Sequence, residues 1–147
     1  MPISRASTLL RVSGVEGMKE VLAESANTPV KLYYPVPAFM EENGLQTPGS
    51  TLHAEMMDEL IQLPQAVGLA EVLVPPLLGG SPASAHMLEL AEKYHKTAEG
   101  HAPATYDGAL NAYVSAGINS DHESTNKEEA LQKLRAGLRV LMREGSA

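Results

Sequence analysis

The 147-residue sequence contains no cysteine and no tryptophan, and it has only one phenylalanine. Without cysteine, the chain forms no disulfide, offers no thiol nucleophile and binds no metal through thiolates. This absence also fits a reducing cytoplasm, which is the location that we predict. Five tyrosines and one phenylalanine are too few for a platform on which nucleic-acid bases stack.

Positive charge and long apolar runs are also scarce. Eleven basic residues stand against 18 acidic ones, for a net charge of -7, and such a surface repels phosphate backbones. The longest apolar stretch, residues 67–80, is interrupted by Glu71 and two prolines, so no run approaches the ~20 residues of a membrane helix. The amino terminus lacks the apolar core of a signal peptide. We therefore expect neither a nucleic-acid partner nor a membrane association.

The composition suits one globular domain. Hydrophobic residues make up 44% and charged residues 20% of the chain, which is typical of globular proteins. A chain of 147 residues fits one domain better than two. We therefore treat residues 1–147 as a single domain.

Short apolar runs alternate with longer amphipathic stretches along the chain. The predicted strands are residues 9–12, 30–34, 67–73, 97–100 and 117–120, and the predicted helices are residues 15–26, 51–63, 82–95, 106–116 and 125–143. A strand followed by a helix, repeated about five times, predicts an α/β fold with a parallel sheet. A complete (β/α)8 barrel needs about 250 residues, so we predict a partial, TIM-like (β/α)8 barrel of about five parallel βα units. An open doubly wound sheet is the alternative.

The stretch of residues 125–143 has the clearest helical pattern. Thr125 and Glu128 have the spacing of a capping box, and Glu129 and Lys133 have the spacing of an i,i+4 ion pair. The apolar residues share one predicted face, whereas Lys133 falls outside it; the apolar set is Leu131, Leu134, Leu138, Leu141 and Met142.

Three polar residues fall at the predicted carboxyl ends of successive strands. Glu71 interrupts the run VGLAEVL, His101 follows a short run in AEGHAP, and His122 ends the run in GINSDHES. Active groups of parallel α/β folds sit at these strand ends, so the three side chains are expected to converge on one rim of the sheet. Two imidazoles and a carboxylate are suitable ligands for a divalent metal.

Each of the three residues also has a structural explanation. Glu71 could pair with a lysine or arginine at the sheet edge, since a carboxylate buried without a partner is costly. His101 could be a hydrogen-bonded loop residue between Gly100 and Ala102. His122 could be exposed just before a helix that Asp121 or Ser124 caps.

The residues around these positions resemble a known family. The segments GHAPATYDGALNAYVSAGINSDHEST and EEALQKLRAGLRVLMREGS are similar to the middle of bacterial adenine deaminases, which belong to the amidohydrolase superfamily. The stretches VGLAEVL and VSGVEGMKEVLAES extend the resemblance to most of the chain, from about residue 10 to residue 146. The GHAP, LNAY-x-x-AGI and SDHES segments together are specific to this family.

The resemblance implies a metal-dependent (β/α)8 barrel that hydrolyses adenine to hypoxanthine and ammonia. The family's metal-bridging glutamate corresponds to Glu71, and two of its metal-binding histidines correspond to His101 and His122. The expected cofactor is a divalent metal, with manganese or iron preferred and zinc as the alternative. The expected small-molecule partner is a purine.

The chain also departs from the family pattern. The first-strand His-x-His pair that binds the other metal is absent, and the late-strand aspartate that acts as general base would lie beyond Ala147. We therefore expect an incomplete metal site that a second copy or a complementing chain would supplement. The alternatives are a non-catalytic, self-associating α/β module, or an amidohydrolase that acts on another purine or a cyclic amide.

Overall fold

The computed structural model describes residues 6–38, 49–50 and 53–142, which form a five-stranded parallel sheet with helices between the strands. The strands are β1 Tyr34–Pro37, β2 Ala66–Leu73, β3 Thr97–His101, β4 Ser120–Asp121 and β5 Arg139–Val140. The helices are α1 Ala6–Ser25, α2 Ala54–Gln62, α3 Val74–Leu78, α4 Pro82–Lys93, α5 Asp107–Ser115 and α6 Lys127–Arg135. No described helix is both long and apolar enough to span a bilayer.

The strand order distinguishes between the two predicted architectures. The order within the sheet is β1-β2-β3-β4-β5, so every strand lies beside the strand that precedes it in the chain. A doubly wound sheet reverses its order at a switch point, whereas a (β/α)8 barrel does not. The fold is therefore a partial barrel, as predicted.

The predicted strands agree with the strands of the structure to different degrees. The predictions for residues 67–73 and 97–100 coincide with β2 and β3, and the prediction for residues 117–120 reaches only the start of β4. The prediction for residues 30–34 lies too early, because β1 is Tyr34–Pro37. Among the described strands β1 pairs only with β2, and an edge strand tolerates the prolines that it contains because they need not donate to a second neighbour.

The predicted strand over residues 9–12 is wrong, because these residues lie in α1. The buried residues of this helix recur at close to helical spacing; they are Leu10, Val15, Met18 and Leu22. One irregularity is Gly14, whose φ of 65° and ψ of -164° interrupt the helical conformation. Glycine adopts such a positive φ without steric cost, so the helix bends there and still buries one face.

The predicted helix over residues 125–143 is too long. Helix α6 ends at Arg135, and Gly137, with a φ of 96°, follows it in the left-handed conformation. The Leu138 amide then donates to the Lys133 carbonyl at 3.0 Å and the Gly137 amide to the Leu134 carbonyl at 3.1 Å, as in a Schellman motif. This turn lets Leu138 enter the core and begin β5, and residue 143 lies outside the described residues.

The start of α6 is displaced by one residue from the predicted capping box. Asn126, and not Thr125, is the N-cap, and its side chain accepts a hydrogen bond from the Glu129 amide at 2.9 Å. By contrast, Ser81 caps α4 as its position before Pro82 suggests, because its hydroxyl accepts from Ser84. Side-chain caps of this kind satisfy amides that have no partner within the helix.

Candidate metal centre

The structure brings together the three residues that the sequence singled out. Glu71 lies in β2, His101 ends β3, and His122 directly follows β4. One ligand atom from each residue lies within 4.8 Å of the others. The three strands are neighbours in the sheet, and the ligand atoms meet at their carboxyl ends, where barrel active sites lie.

Glu71 reaches this position through an irregularity in the sheet. Leu69 pairs with Ala98 and Val72 pairs with Gly100, so β2 has one residue more than β3 between the two pairings. This is a β-bulge, which redirects a side chain. Glu71 sits within it at a φ of 55°, a left-handed conformation that costs free energy for any residue except glycine. No ion pair of Glu71 with a lysine or arginine occurs in the described part of the chain.

The two imidazole rings face each other edge to face. Their centroids are 5.7 Å apart and their planes make an angle of 72°. The Nδ1 atoms of both His101 and His122 are buried and have no hydrogen-bond partner among the described residues. Burying such a nitrogen without a partner is unfavourable, and a cation bound to its lone pair would remove that cost. The donor set therefore fits a divalent metal ion.

Two further carboxylates surround the histidines. Glu123 Oε1 lies 3.1 Å from His122 Nε2 and 3.7 Å from His101 Nδ1, and Glu99 Oε1 lies 4.0 Å from His122 Nδ1. Metal-binding histidines commonly donate their other ring N–H to a carboxylate, which fixes the tautomer and the ring orientation. Glu123 is placed for this role toward His122, and His122 is therefore neither isolated nor fully exposed.

A buried ionic network includes Asp121, the residue that precedes His122. Lys133 Nζ is 2.7 Å from Asp121 Oδ2 and 2.7 Å from Glu129 Oε1, and all three side chains are fully buried. The predicted pair of Glu129 and Lys133 is therefore confirmed. The alternative in which Asp121 or Ser124 caps the following helix does not hold, because Asn126 is the cap. The Asp121 carboxylate instead binds Lys133 and two backbone amides.

The two carboxylates of this network hold the loops that follow the histidines. Asp121 accepts from the amides of Ala102 at 2.8 Å and Glu123 at 3.0 Å. Glu129 accepts from the amides of Ala104 at 2.8 Å and Thr125 at 3.1 Å. Each carboxylate thus joins the loop after β3 to the loop after β4, and so fixes the backbone beside both imidazoles.

The network also determines how its carboxylates titrate. Desolvation by burial would raise the pKa of Asp121, but the hydrogen bond from Lys133 and those from the Glu123 and Ala102 amides outweigh it and lower the pKa. For Glu129, desolvation is again outweighed by Lys133 and by backbone amides, so this pKa also lies below its usual value of 4.5. Both groups are therefore charged at neutral pH.

Sequence reasoning missed Glu99 and Glu123, and it predicted the Glu129–Lys133 pair without predicting that Lys133 is buried. Glu123 stands beside His122 in SDHES, and Glu99 lies two positions before His101, on the same face of β3, so adjacency and strand alternation could have indicated both. The burial of Lys133 gives no such signal, because helical periodicity puts this residue outside the apolar face. A cavity of about 360 Å³ lies at the opposite ends of β1 and β2, beside Tyr33 and Gln65, away from these residues.

Comparison with known proteins finds relatives that all carry the same name. The chain is 39% identical over 137 residues to an adenine deaminase of Dehalococcoides mccartyi, covering 92% of this chain and 24% of the relative. It is 37% identical over 140 residues to an adenine deaminase of Methanocaldococcus jannaschii, covering 95% and 25%, and 34% identical over 139 residues to that of Desulfatibacillum aliphaticivorans, covering 94% and 24%. No family model matches the chain.

A solved structure supports the fold. The TatD homologue YJJV from Escherichia coli superposes with a TM-score of 0.57 at 16% sequence identity, and the match covers 91% of this chain and 60% of that one. At this identity the similarity concerns the fold alone. The chain spans about a quarter of the length of the curated relatives that it matches. Over nearly its whole length, the chain is therefore similar to a segment of adenine deaminases.

Proposed function

We propose that Glu71, His101 and His122 bind a divalent metal ion that serves the hydrolysis of adenine to hypoxanthine and ammonia. The convergence of their ligand atoms within 4.8 Å carries this proposal. Manganese or iron is the preferred ion and zinc the alternative, since imidazole and carboxylate ligands suit all three. The site would act in the cytoplasm on a free purine.

The chain's own side chains have distinct roles in this proposal. His101 and His122 offer the buried Nδ1 atoms, and Glu71 supplies the negative charge that the bulge directs toward them. Glu123, 3.1 Å from His122 Nε2, orients that ring. A bound divalent ion supplies the Lewis acidity that makes water a nucleophile near neutral pH. In the overall reaction, water adds to the amino-bearing ring carbon, a C–O bond forms and the C–N bond breaks. One proton of the water leaves with the amino group as ammonia, and the other ends on a ring nitrogen of hypoxanthine.

Metal binding is testable on the 147-residue chain. Calorimetric titration with Mn²⁺ should show binding that His101→Ala and His122→Ala each weaken by at least about tenfold. His53→Ala is the matched control, because His53 is an exposed histidine before α2 and should leave binding unchanged. Equal binding by all four proteins would contradict the proposed ligand set.

Catalysis requires a second experiment, because the chain spans only about a quarter of its relatives. Ammonia release from adenine should be measured with Mn²⁺ for the chain alone and for the chain mixed with one that supplies the remaining length of a relative. Release by the mixture, and its loss on His101→Ala, is expected. A mixture that assembles and binds Mn²⁺ yet releases no ammonia would exclude adenine hydrolysis.

The exposed sheet edge favours association with another chain as a second property. Within the described residues β5 pairs only with β4, and the side chains that follow it, Leu141 and Met142, are 46% and 96% exposed. Unpaired edges next to apolar residues promote pairing with another chain. We expect a second copy or a complementing chain to cover this edge, and light scattering would identify a dimer. A monomer at high concentration would leave the complementing chain as the partner to test.

A further inference from the structure

Tyr113 is a buried residue of α5 whose hydroxyl joins two strands of the sheet. It donates a hydrogen bond to the Val72 carbonyl of β2 and accepts one from the His101 amide of β3 at 3.0 Å. Its side chain is fully buried. Because a buried hydroxyl needs hydrogen-bond partners, these two backbone groups fix where the phenol lies.

One of the two groups belongs to the backbone of a candidate ligand, and the other belongs to the residue next to a second candidate ligand. Val72 directly follows Glu71, which lies in the bulge, and the second group is the amide of His101 itself. Where the bulge disturbs the pairing of β2 and β3, the Tyr113 hydroxyl bridges the two strands. It therefore links the strand segment that carries the carboxylate to the one that carries the imidazole.

The neighbouring glycine makes room for this bridge. A Cβ atom at Gly100 would lie 2.7 Å from the Tyr113 hydroxyl and 2.6 Å from the Ser120 carbonyl. Such contacts are far shorter than ordinary van der Waals distances, so any other residue would displace the phenol or the backbone. Gly100 and Tyr113 together form one packing arrangement behind the ligands.

We propose that Tyr113 is a positioning residue that sets the separation between Glu71 and His101 and thereby the affinity of the site for a divalent cation. This inference rests on the metal site proposed above. Tyr113 does not bind the ion itself; it acts through the two backbone segments that its hydroxyl joins. If its role were packing alone, a phenylalanine would serve equally well.

The chain offers a matched control in Tyr34. Tyr34 is also fully buried, and its hydroxyl donates to the Leu60 carbonyl of α2 at 2.9 Å. Tyr113→Phe and Tyr34→Phe each remove one buried hydroxyl and keep the ring, so both variants are expected to fold. Only the first removes a bridge between ligand-bearing strands.

Calorimetric titration with Mn²⁺ tests the inference directly. We expect Tyr113→Phe to weaken Mn²⁺ binding by about tenfold or more, as the loss of an outer partner commonly does, and Tyr34→Phe to change it by less than about twofold. Unchanged affinity in Tyr113→Phe, or an equal loss in both variants, would overturn the positioning role.

A second readout needs no metal. Crystal structures of the metal-free chain and of Tyr113→Phe should show the ligand atoms of Glu71 and His101 moved apart in the variant, beyond the 4.8 Å that holds in the parent. An unchanged separation would overturn the inference. If the parent chain binds no Mn²⁺, the proposed metal site fails, and these structures still decide whether Tyr113 positions the two residues.

Discussion

Lys133 Nζ lies 2.7 Å from Asp121 Oδ2, and both side chains are fully buried. The same ammonium group also contacts Glu129, so one buried cation faces two buried carboxylates. Backbone amides that donate to both carboxylates compensate for the remaining negative charge. Charges buried in this way are tolerated only with such partners, and the network therefore holds the loops after β3 and β4 in one arrangement.

Removal of the cation should destabilise the fold strongly. Lys133→Met would leave Asp121 and Glu129 buried without a cation, so we expect a loss of about 3–5 kcal/mol in the free energy of unfolding. Urea denaturation followed by circular dichroism measures this change. Lys127→Met, at an exposed position of the same helix, should change stability by less than about 0.5 kcal/mol. A loss below about 1 kcal/mol in Lys133→Met would contradict the network's structural importance.

Stability should fall in acid through Glu129. Its pKa in the folded state lies below the usual value of 4.5, so the folded protein binds this proton less readily than the unfolded chain. The contribution is therefore fully present above that value and is lost as the pH falls through the folded pKa. Urea denaturation at several pH values between about 7 and about 3 measures this loss. As the pH falls, the free energy of unfolding should decrease less steeply for Glu129→Gln than for the parent. The exposed neighbour variant Glu128→Gln should retain the parent slope, and a parental slope in Glu129→Gln would refute this assignment.

The strained conformation of Glu71 predicts a gain in stability at the expense of the site. Glu71 has a φ of 55°, which glycine adopts without strain. Glu71→Gly should therefore raise the free energy of unfolding by up to about 1 kcal/mol. Mn²⁺ binding should be lost. Glu71→Ala removes the same carboxylate but keeps the strain, so it should lose binding without gaining stability. Chemical denaturation and calorimetry distinguish the two, and equal stability of the two variants would argue against strain.

A single methyl group at Gly100 should disturb the sheet and the phenol together. Gly100→Ala would place Cβ within 2.6 Å of the Ser120 carbonyl, so we expect a loss of about 1–3 kcal/mol. Gly108→Ala is the matched control: in the part of the chain that the structure describes, no atom beyond its chain neighbours and its own helix backbone lies within 4 Å of the added Cβ. Alanine in a helix should be neutral or stabilising by up to about 1 kcal/mol. Thermal denaturation compares the two variants. If Gly100→Ala melts at the same temperature as the parent, the sheet accommodates the added methyl group and the prediction is wrong.

Strand-end reasoning predicted the three candidate ligands because it needs only the order of strands and helices. Parallel βα units put the ends of successive strands on one rim, so Glu71, His101 and His122 converge even though the strand limits were partly wrong. The error over residues 9–12 was harmless, since no ligand depended on it. The early end of α6 was readable in AGLRV, where a glycine precedes a new apolar run.

The bulge at Glu71 and the burial of Lys133 could not be read in the same way. The run LAEVL contains no glycine that would indicate a left-handed residue. The bulge arises from pairing with β3, a segment that lies further along the chain. Lys133 is buried because Asp121, twelve positions earlier in β4, supplies a buried partner. Both features depend on contacts between elements, which local periodicity does not encode.

The uninterrupted strand order has a consequence for how the protein folds. The candidate ligands require only the β2–β3 and β3–β4 pairings, and each pairing joins strands that are consecutive in the chain. Closing the loop between consecutive strands costs less chain entropy than closing the longer loop between the first strand and the last would. Any partly folded chain in which these three strands have paired would therefore already present all three side chains, before either outer strand has docked.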